Sequence, residues 1–219
     1  MPVADSAVSY SHIAMQRGGT IDYLDALELQ RSLHREIAEG VRENTLLLLE
    51  HPSVFTAGKR TQIHERPTDG SVVIDVDRGG KITWHGPGQL VGYPIVRLAK
   101  PTELVGFVRE IESALILICL EIGLETQRVE GRSGVWVVDG QGSRKIAAIG
   151  IRVASGVSMH GFALNIEPDL SAYNSIIPCG IDDASVTSLS KELGRNISTD
   201  EVLPIVEKHM YESLAKVSR

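Results

Sequence analysis

SGVWVVDGQGSRKIAAIGIRVASGVSMHGFALNI, residues 133–166, sets the architecture of this chain. Apolar and β-branched residues crowd three segments of it, 133–138, 145–153 and 158–166, and the pattern predicts three strands. The turn Asp139-Gly140-Gln141-Gly142 between the first two marks a hairpin. On either side the period changes. Leu104, Phe107, Val108, Ile111, Leu115 and Ile118 recur at helical spacing over residues 102–122, and Gly123 supplies the stop. Ala26, Leu29, Leu33 and Ile37 predict another helix over 22–39, ended by Gly40. Short apolar runs at 45–50, 72–76 and 89–98 read as separate strands. A last helix is expected from about residue 199, where Ser198 and Glu201 have capping-box spacing. Hairpins, separated strands and long helices together give an α/β (α+β) class, a mixed β-sheet packed with helices. No shift in composition marks a boundary, so the chain reads as one domain over residues 1–219, with residues 1–19 peripheral.

Composition narrows the function classes. The 219 residues carry 22 basic and 28 acidic side chains, a formal charge of −6, which argues against general nucleic-acid binding. Two cysteines do not make a disulfide scaffold. No run approaches 18 apolar residues, so no membrane-spanning helix is expected. The N-terminus lacks the basic start and apolar run of a secretory signal, and a reducing, cytoplasmic location is the expectation. The charge is uneven: residues 58–152 hold 13 basic against 11 acidic side chains, the remainder 9 against 17, so the middle of an acidic protein is locally basic.

Three segments are unusual for pure structure. Residues 78–89 (RGGKITWHGPGQ) hold four glycines and a proline, costly to order unless the backbone takes special angles or approaches a ligand. They lack the phosphate-loop and dinucleotide-binding patterns. A glycine-rich turn needs no ligand, but the adjoining Arg78, Lys81 and His85 favour a ligand-facing loop. In RKIAAIGI (144–151), Lys145 opens a strand of small and apolar residues, and by itself reads as a surface residue at a hairpin base. In IPCGI (177–181), Cys179 lies between proline and glycine, where no regular element persists. A thiol on such a turn is a candidate nucleophile, whereas Cys119, within LICL, reads as inert core packing. The histidines form no HExxH and the cysteines no CxxC, so no metal site is expected. His51 reads as a structural histidine, and His85 and His160 stay open as site-lining groups.

These motifs, taken in order, resemble the lipoyl(octanoyl) transferase family. LLLLEHPSVFTAGKR (46–60), RGGKITWHGPGQLVGYP (78–94), RSGVWV with RKIAAIGIR, HGFALN (160–165) and PCGI followed by VTSL (186–189) carry the resemblance, which spans roughly residues 20–195. It implies a fold shared with the catalytic domains of lipoate and biotin ligases. It implies transfer of an octanoyl group from octanoyl-acyl carrier protein to a lysine of an acceptor lipoyl domain. Those acceptors are the lipoyl domains of 2-oxoacid dehydrogenase complexes and the glycine cleavage H protein. No cofactor is implied. The resemblance places the nucleophile at Cys179 and its activating lysine at Lys145. Its acyl-binding stretches fall on Arg78, Gly79, Gly80, Lys81, Ile82, Thr83, Trp84 and His85, on Ala148, Ile149 and Gly150, and on Gly161, Phe162 and Ala163.

Elementary chemistry makes the pairing sensible. A free thiol has a pKa of about 8.5, so only a few per cent is thiolate at neutral pH. An ammonium about 4 Å away contributes up to roughly 4 kcal/mol at an effective dielectric near 20, and a third of that raises the thiolate fraction about tenfold. An eight-carbon tail gains on the order of 5 kcal/mol on burial, and Gly79, Gly80, Ala147, Ala148, Gly150, Gly161 and Ala163 are small enough to leave it room. Lys59, Arg60, Arg66, Arg78, Lys81, Arg144 and Arg152 are expected to rim the entrance and steer acidic partners. Three other readings remain: an ATP-dependent lipoate or biotin ligase, a cysteine amidase or thioesterase, and a non-catalytic acyl-binding module.

Overall fold

The computed structural model describes residues 13–176 and 185–219. Its spine is one mixed sheet. Strand β1 (Ile13–Thr20) runs parallel to β2 (Asn44–Glu50), joined by helix α1 (Tyr23–Glu39). Asp22 caps α1 by accepting the Leu24 N–H at 2.8 Å, and Gly40 ends it in the left-handed region at φ 76°. The apolar run TLLLLE forms β2, buried on both faces as its lack of alternation requires. Antiparallel to it lies β6 (Gln89–Ile95), then β10 (Val157–Asn165), β9 (Gly142–Ala154), β8 (Arg132–Asp139) and β7 (Gln127–Val129). A short strand, β11 (Ser185–Val186), pairs with β9 in parallel at Arg144 and Lys145. A second sheet holds β4 (Val73–Asp75), β3 (Val54–Ala57) and β5 (Ile82–His85), in that order.

Helices cover the large sheet unequally. α1 lays Ala26, Leu33 and Ile37 on one face, against Leu47, Leu49, Val91, Tyr93 and Ala163. The other face carries the larger core, where α2 (Leu104–Ile122) and α4 (Thr199–Val217) pack with the five-residue α3 (Leu189–Leu193). Ile111, Leu115, Ile118, Val206 and Met210 are fully buried there, each side chain contributing about 1.5–3 kcal/mol. Cys119 sits in this layer, wholly enclosed, and burial pushes its thiol up to about 12, which keeps it inert.

The three strands and the hairpin read from residues 133–166 are present, as are the three long helices. Two differences are instructive. Residues 82–85, expected within a glycine-rich loop, form β5, because β-branched and aromatic residues between the glycine pairs take up the ladder with β3. At the head of α4 Ser198 accepts the Glu201 N–H at 3.3 Å, but the Glu201 carboxylate turns to Arg195 instead of completing the box.

Candidate active site

The site starts from side chains that are nearly absent. On the α1 face of the sheet, β9 places Ala148 and Gly150 opposite Ala163 and Gly161 of β10, and Ala163 in turn faces Val91 of β6. This makes a floor of small residues beside the taller Val91 and Tyr93. Gly161 tolerates no side chain: a Cβ there would stand 1.9 Å from the Gly92 carbonyl oxygen and 2.7 Å from Pro94 Cδ. Ala147 belongs to the opposite, helical face.

A loop roofs the floor. The Gly79 N–H donates to the Ile151 carbonyl at 3.1 Å and docks the loop on β9. Arg78, buried, holds the loop's shape: Nη1 donates to the Lys81 carbonyl at 2.8 Å, and Nη2 to the Thr56 carbonyl and Oγ1 at 2.8 and 2.9 Å. A Cβ on Gly150 would come within 2.9 Å of Arg78 Cδ, so the roof sits directly on the glycine row. Between roof and floor lies a cavity of about 220 Å³, below the roughly 300–1,000 Å³ of sites for drug-sized ligands.

Of the residues expected around an acyl chain, Arg78, Gly80, Lys81, Ile82, Thr83, His85, Ala148, Ile149, Gly150, Gly161, Phe162 and Ala163 line this cavity, and so does Lys145. Gly79 and Trp84 do not. Gly79 serves as the docking point just described. Trp84 turns into the cluster of Phe55, Ile82, Tyr173 and Ile176, with its indole N–H on Ser53 Oγ at 2.9 Å. Cys179 falls in residues 177–184, outside the described residues. Tyr23, Arg60, Val91, Tyr93, Gly131, Arg132, Ser133 and His160 also line the cavity. Tyr23 carried no distinguishing mark in the sequence, whereas Val91, Tyr93, Arg132 and Ser133 lie in motifs of the resemblance without an assigned role.

Lys145 is held from several sides. It is only 7% exposed, and its Nζ lies 4.5 Å from the centroid of the Trp136 ring, a cation–π contact. Gly134, at φ 102°, leaves space for its stem: a Cβ there would be 3.5 Å from Lys145 Cε and 2.3 Å from the Ala147 carbonyl oxygen. The buried Glu112 carboxylate fixes that glycine by accepting its N–H at 3.0 Å. On the other edge of β9, Val186 faces Lys145, and the Thr187 N–H donates to the Lys145 carbonyl at 2.9 Å.

A buried polar chain runs from the roof to this point. Thr56 Oγ1 accepts from Arg78 and faces His85 Nε2 at 3.4 Å. His85 Nδ1 meets Gln89 Oε1 at 2.7 Å, and Gln89 Nε2 donates to Asn165 Oδ1 at 2.9 Å. Asn165 Nδ2 donates to the Thr187 carbonyl at 2.9 Å. Since Gln89 Nε2 also donates to the Trp84 carbonyl, its Oε1 is the acceptor and His85 carries its proton on Nδ1. Burial first, then the neighbouring His51, pushes His85 down to about 3, so it is neutral.

His51 is doubly bonded, Nδ1 to the Ile21 carbonyl and Nε2 to the Tyr93 hydroxyl, both at 2.7 Å. His160 takes φ 58°, uncommon for a side chain other than glycine's; its N–H donates to Gln30 Oε1 at 3.0 Å. Its Nε2 meets Asp77 Oδ1 at 2.7 Å, tying the start of the roof to the sheet, and burial lowers its pKa against the pull of Asp77. Among the described residues, no group of three or more His, Cys, Asp or Glu is arranged to hold a metal ion.

The expected basic rim is largely neutralised. Arg66 pairs with Asp75, Lys81 with Glu65, Arg152 with Asp77, and Arg144 with both Asp139 and Glu192. Arg78 is spent on the roof. Lys59 and Arg60 are exposed, and Arg60 lines the cavity.

Comparison with known proteins shows the family. The model of the lipoyl protein ligase A/B catalytic domain family matches residues 22–211. An octanoyltransferase of Salinispora arenicola is 58% identical over 202 residues, covering 91% of this chain and 95% of that protein. Among solved structures, the bipartite lipoate protein ligase of Thermoplasma acidophilum superposes with a TM-score of 0.70 at 16% identity, over 93% of this chain and 84% of its own. The biotin protein ligase of Aquifex aeolicus gives 0.52 at 16% identity, over 94% and 71%. At such identities the structural likeness shows the fold alone.

Proposed function

The chain belongs to the lipoyl protein ligase A/B catalytic domain family, and on that footing we propose that it is an octanoyltransferase of protein lipoylation, working through Cys179 and Lys145. It takes an octanoyl group from the thioester of an acyl carrier protein and places it on the ε-amino group of a lipoyl-domain lysine. The acceptors are the lipoyl domains of 2-oxoacid dehydrogenase complexes and the H protein of glycine cleavage. A reducing compartment, the cytoplasm, keeps the thiol available.

One observation carries the reading. The buried Lys145 stands at a cavity floored with small residues, and on β9 it faces Val186, in the first strand after the segment that contains Cys179. Cys179 stands six positions before Ser185 in sequence, a tether of at most about 20 Å that keeps the thiol in the neighbourhood of the strand beside Lys145.

The chemistry then closes on itself. The Cys179 thiolate attacks the carrier thioester, and the Lys145 ammonium gives its proton to the departing carrier thiol. Lys145, now neutral, accepts a proton from the acceptor amine as that amine attacks the acyl-enzyme. Expulsion of Cys179 as thiolate forms the amide and restores the ion pair. Thioester exchange is nearly balanced and amide formation runs downhill, so no nucleotide enters.

The test is transfer between purified components: octanoyl-acyl carrier protein, a lipoyl domain and the enzyme, without ATP. The expected product is a lipoyl domain heavier by one octanoyl group. A need for ATP with free octanoate would instead mark a ligase, and release of octanoate alone a thioesterase.

A further inference from the structure

Tyr23 is the first residue of α1 and is 2% exposed. It lines the cavity that holds Lys145, and it also lines a second one, of about 370 Å³, in which Val54, Phe55 and Ile74 stand beside Asp22, Ser53 and Ser71 and the exposed Val72 lies at the surface. On the first side its ring stacks on His85, centroids 6.1 Å apart and planes 8° from parallel. On the second side it shares an apolar cluster with Val54 and Ile74. His51, tilted against Tyr23 at 5.1 Å, and His85 are themselves hydrogen-bonded, so the ring is braced.

We infer that Tyr23 is the partition that ends the acyl slot and so sets the longest chain the enzyme accepts. This rests on the octanoyl-transfer reading of the same cavity. The space beside Lys145 receives the chain, and the partly apolar, partly open one beyond Tyr23 receives nothing while the ring stands. Removing the ring joins the two, and the joined volume is more than twice that of the first cavity. Each further methylene that enters it gains about 0.8 kcal/mol, a factor of about four in affinity. A chain that must instead displace a braced aromatic ring in a close-packed surrounding gains nothing, because such packing does not yield continuously.

The experiment measures affinity of the whole protein for fatty acids of increasing length by calorimetry, and the relative kcat/KM of the matching acyl-carrier thioesters. The wild type is expected to lose both beyond a sharp cut-off. Tyr23→Ala is expected to move the cut-off to longer chains, with affinity rising several-fold per added methylene. Tyr23→Leu, which keeps apolar contact with Leu27 and Met159 while removing the ring, carries the same expectation and serves where the alanine variant does not fold. Adding Val72→Trp, at the exposed edge of the second cavity, to either variant narrows that cavity and should return the cut-off towards its original place. An unchanged ranking of chain lengths in a folded Tyr23 variant would overturn the assignment, as would a longer cut-off that Val72→Trp leaves untouched. Chain-length binding is independent of the transfer chemistry. A wild type that ranks fatty acids as expected but transfers no octanoyl group would therefore strike the functional reading and not the partition.

Discussion

The Asn165 side-chain amide donates to the Thr187 carbonyl at 2.9 Å, while the Thr187 N–H donates to the Lys145 carbonyl at the same distance. β11 is only two residues long, too short to hold its register alone, and Asn165 supplies the missing anchor from the end of β10. Thr187 Oγ1 adds a bond to Glu192 at 2.6 Å, and Glu192 binds Arg144 at 2.7 Å. The return of the chain beside Lys145 is thus fixed through three groups of Thr187, its N–H, its carbonyl and its hydroxyl. Asn165→Ala should remove one buried bond and leave the amide of Gln89 with one partner fewer, costing about 1–3 kcal/mol in stability. It should also lower the rate of Cys179 alkylation and kcat for octanoyl transfer, with KM for the acceptor little changed. A variant that loses stability but keeps wild-type kcat would show that Asn165 supports the fold and nothing more.

Lys145 lies close enough to the Trp136 face to be held, and Gly134 gives its stem room. Lys145→Met keeps the length and removes the charge. Alkylation of Cys179 by iodoacetamide at neutral pH should slow about tenfold, the effect of roughly 1.4 kcal/mol of lost thiolate stabilisation. An unchanged alkylation rate would remove the lysine from thiol activation.

Gly134 cannot take a side chain without moving the Ala147 carbonyl, and its φ lies in the left-handed region. Glu112, fully buried, holds its N–H and pairs with Arg109 and Arg128. Removing the carboxylate leaves the buried Gly134 N–H without its acceptor while Arg109 and Arg128 stay in reach of water, so Glu112→Ala should cost about 1–3 kcal/mol in a denaturant titration. A loss below about 1 kcal/mol would mean the carboxylate is not holding this corner.

Acid should destabilise the fold through its buried histidines. Burial holds His85 at about 3 and also lowers His51 and His160. Unfolded, each has a pKa of about 6.5, so below that value the unfolded chain binds protons that the folded one refuses. The stabilisation is complete above about pH 6.5 and is lost as pH falls towards 3. Melting temperature should therefore drop from pH 7 to pH 5, and His85→Gln should flatten the slope. A melting temperature constant over that range would contradict the neutral, buried state of these rings.

Steering by the rim should be modest. Most of the side chains expected at the rim are paired or spent on the roof, leaving exposed Lys59 and Arg60, of which Arg60 lines the cavity. Arg60→Ala should lower the association rate with an acidic carrier several-fold at low salt and little at high salt, as stopped-flow mixing would read. Equal loss at both ionic strengths would point to a specific contact instead.

The sheet was legible because its strands announce themselves: TLLLLE is apolar throughout, and residues 133–166 alternate around a glycine turn. The floor was legible as small residues, since Ala148, Gly150, Gly161 and Ala163 are a costly choice in strands unless something must lie against them. What surrounds the floor was less so. Trp84 follows Thr83 in one motif, yet β5 sends the two side chains to opposite sides. His160 takes a left-handed φ and gives its N–H to Gln30, 130 positions earlier, and nothing local encodes that contact. Tyr23 reads as an ordinary helix-start residue until the second cavity is seen behind it. The basic rim failed for the same reason: Glu65, Asp75, Asp77 and Glu192, which neutralise it, are close in space while sequence order shows only the excess of positive charge.

The most direct measurement is the mass of the intact protein, quenched shortly after mixing with octanoyl-acyl carrier protein alone, in wild type, Cys179→Ala and Lys145→Met. The wild type should gain one octanoyl group that peptide mapping places on Cys179, Lys145→Met should gain it far more slowly, and Cys179→Ala should gain none and transfer none. A Cys179→Ala enzyme that still acylates the lipoyl domain at the wild-type rate would contradict the account.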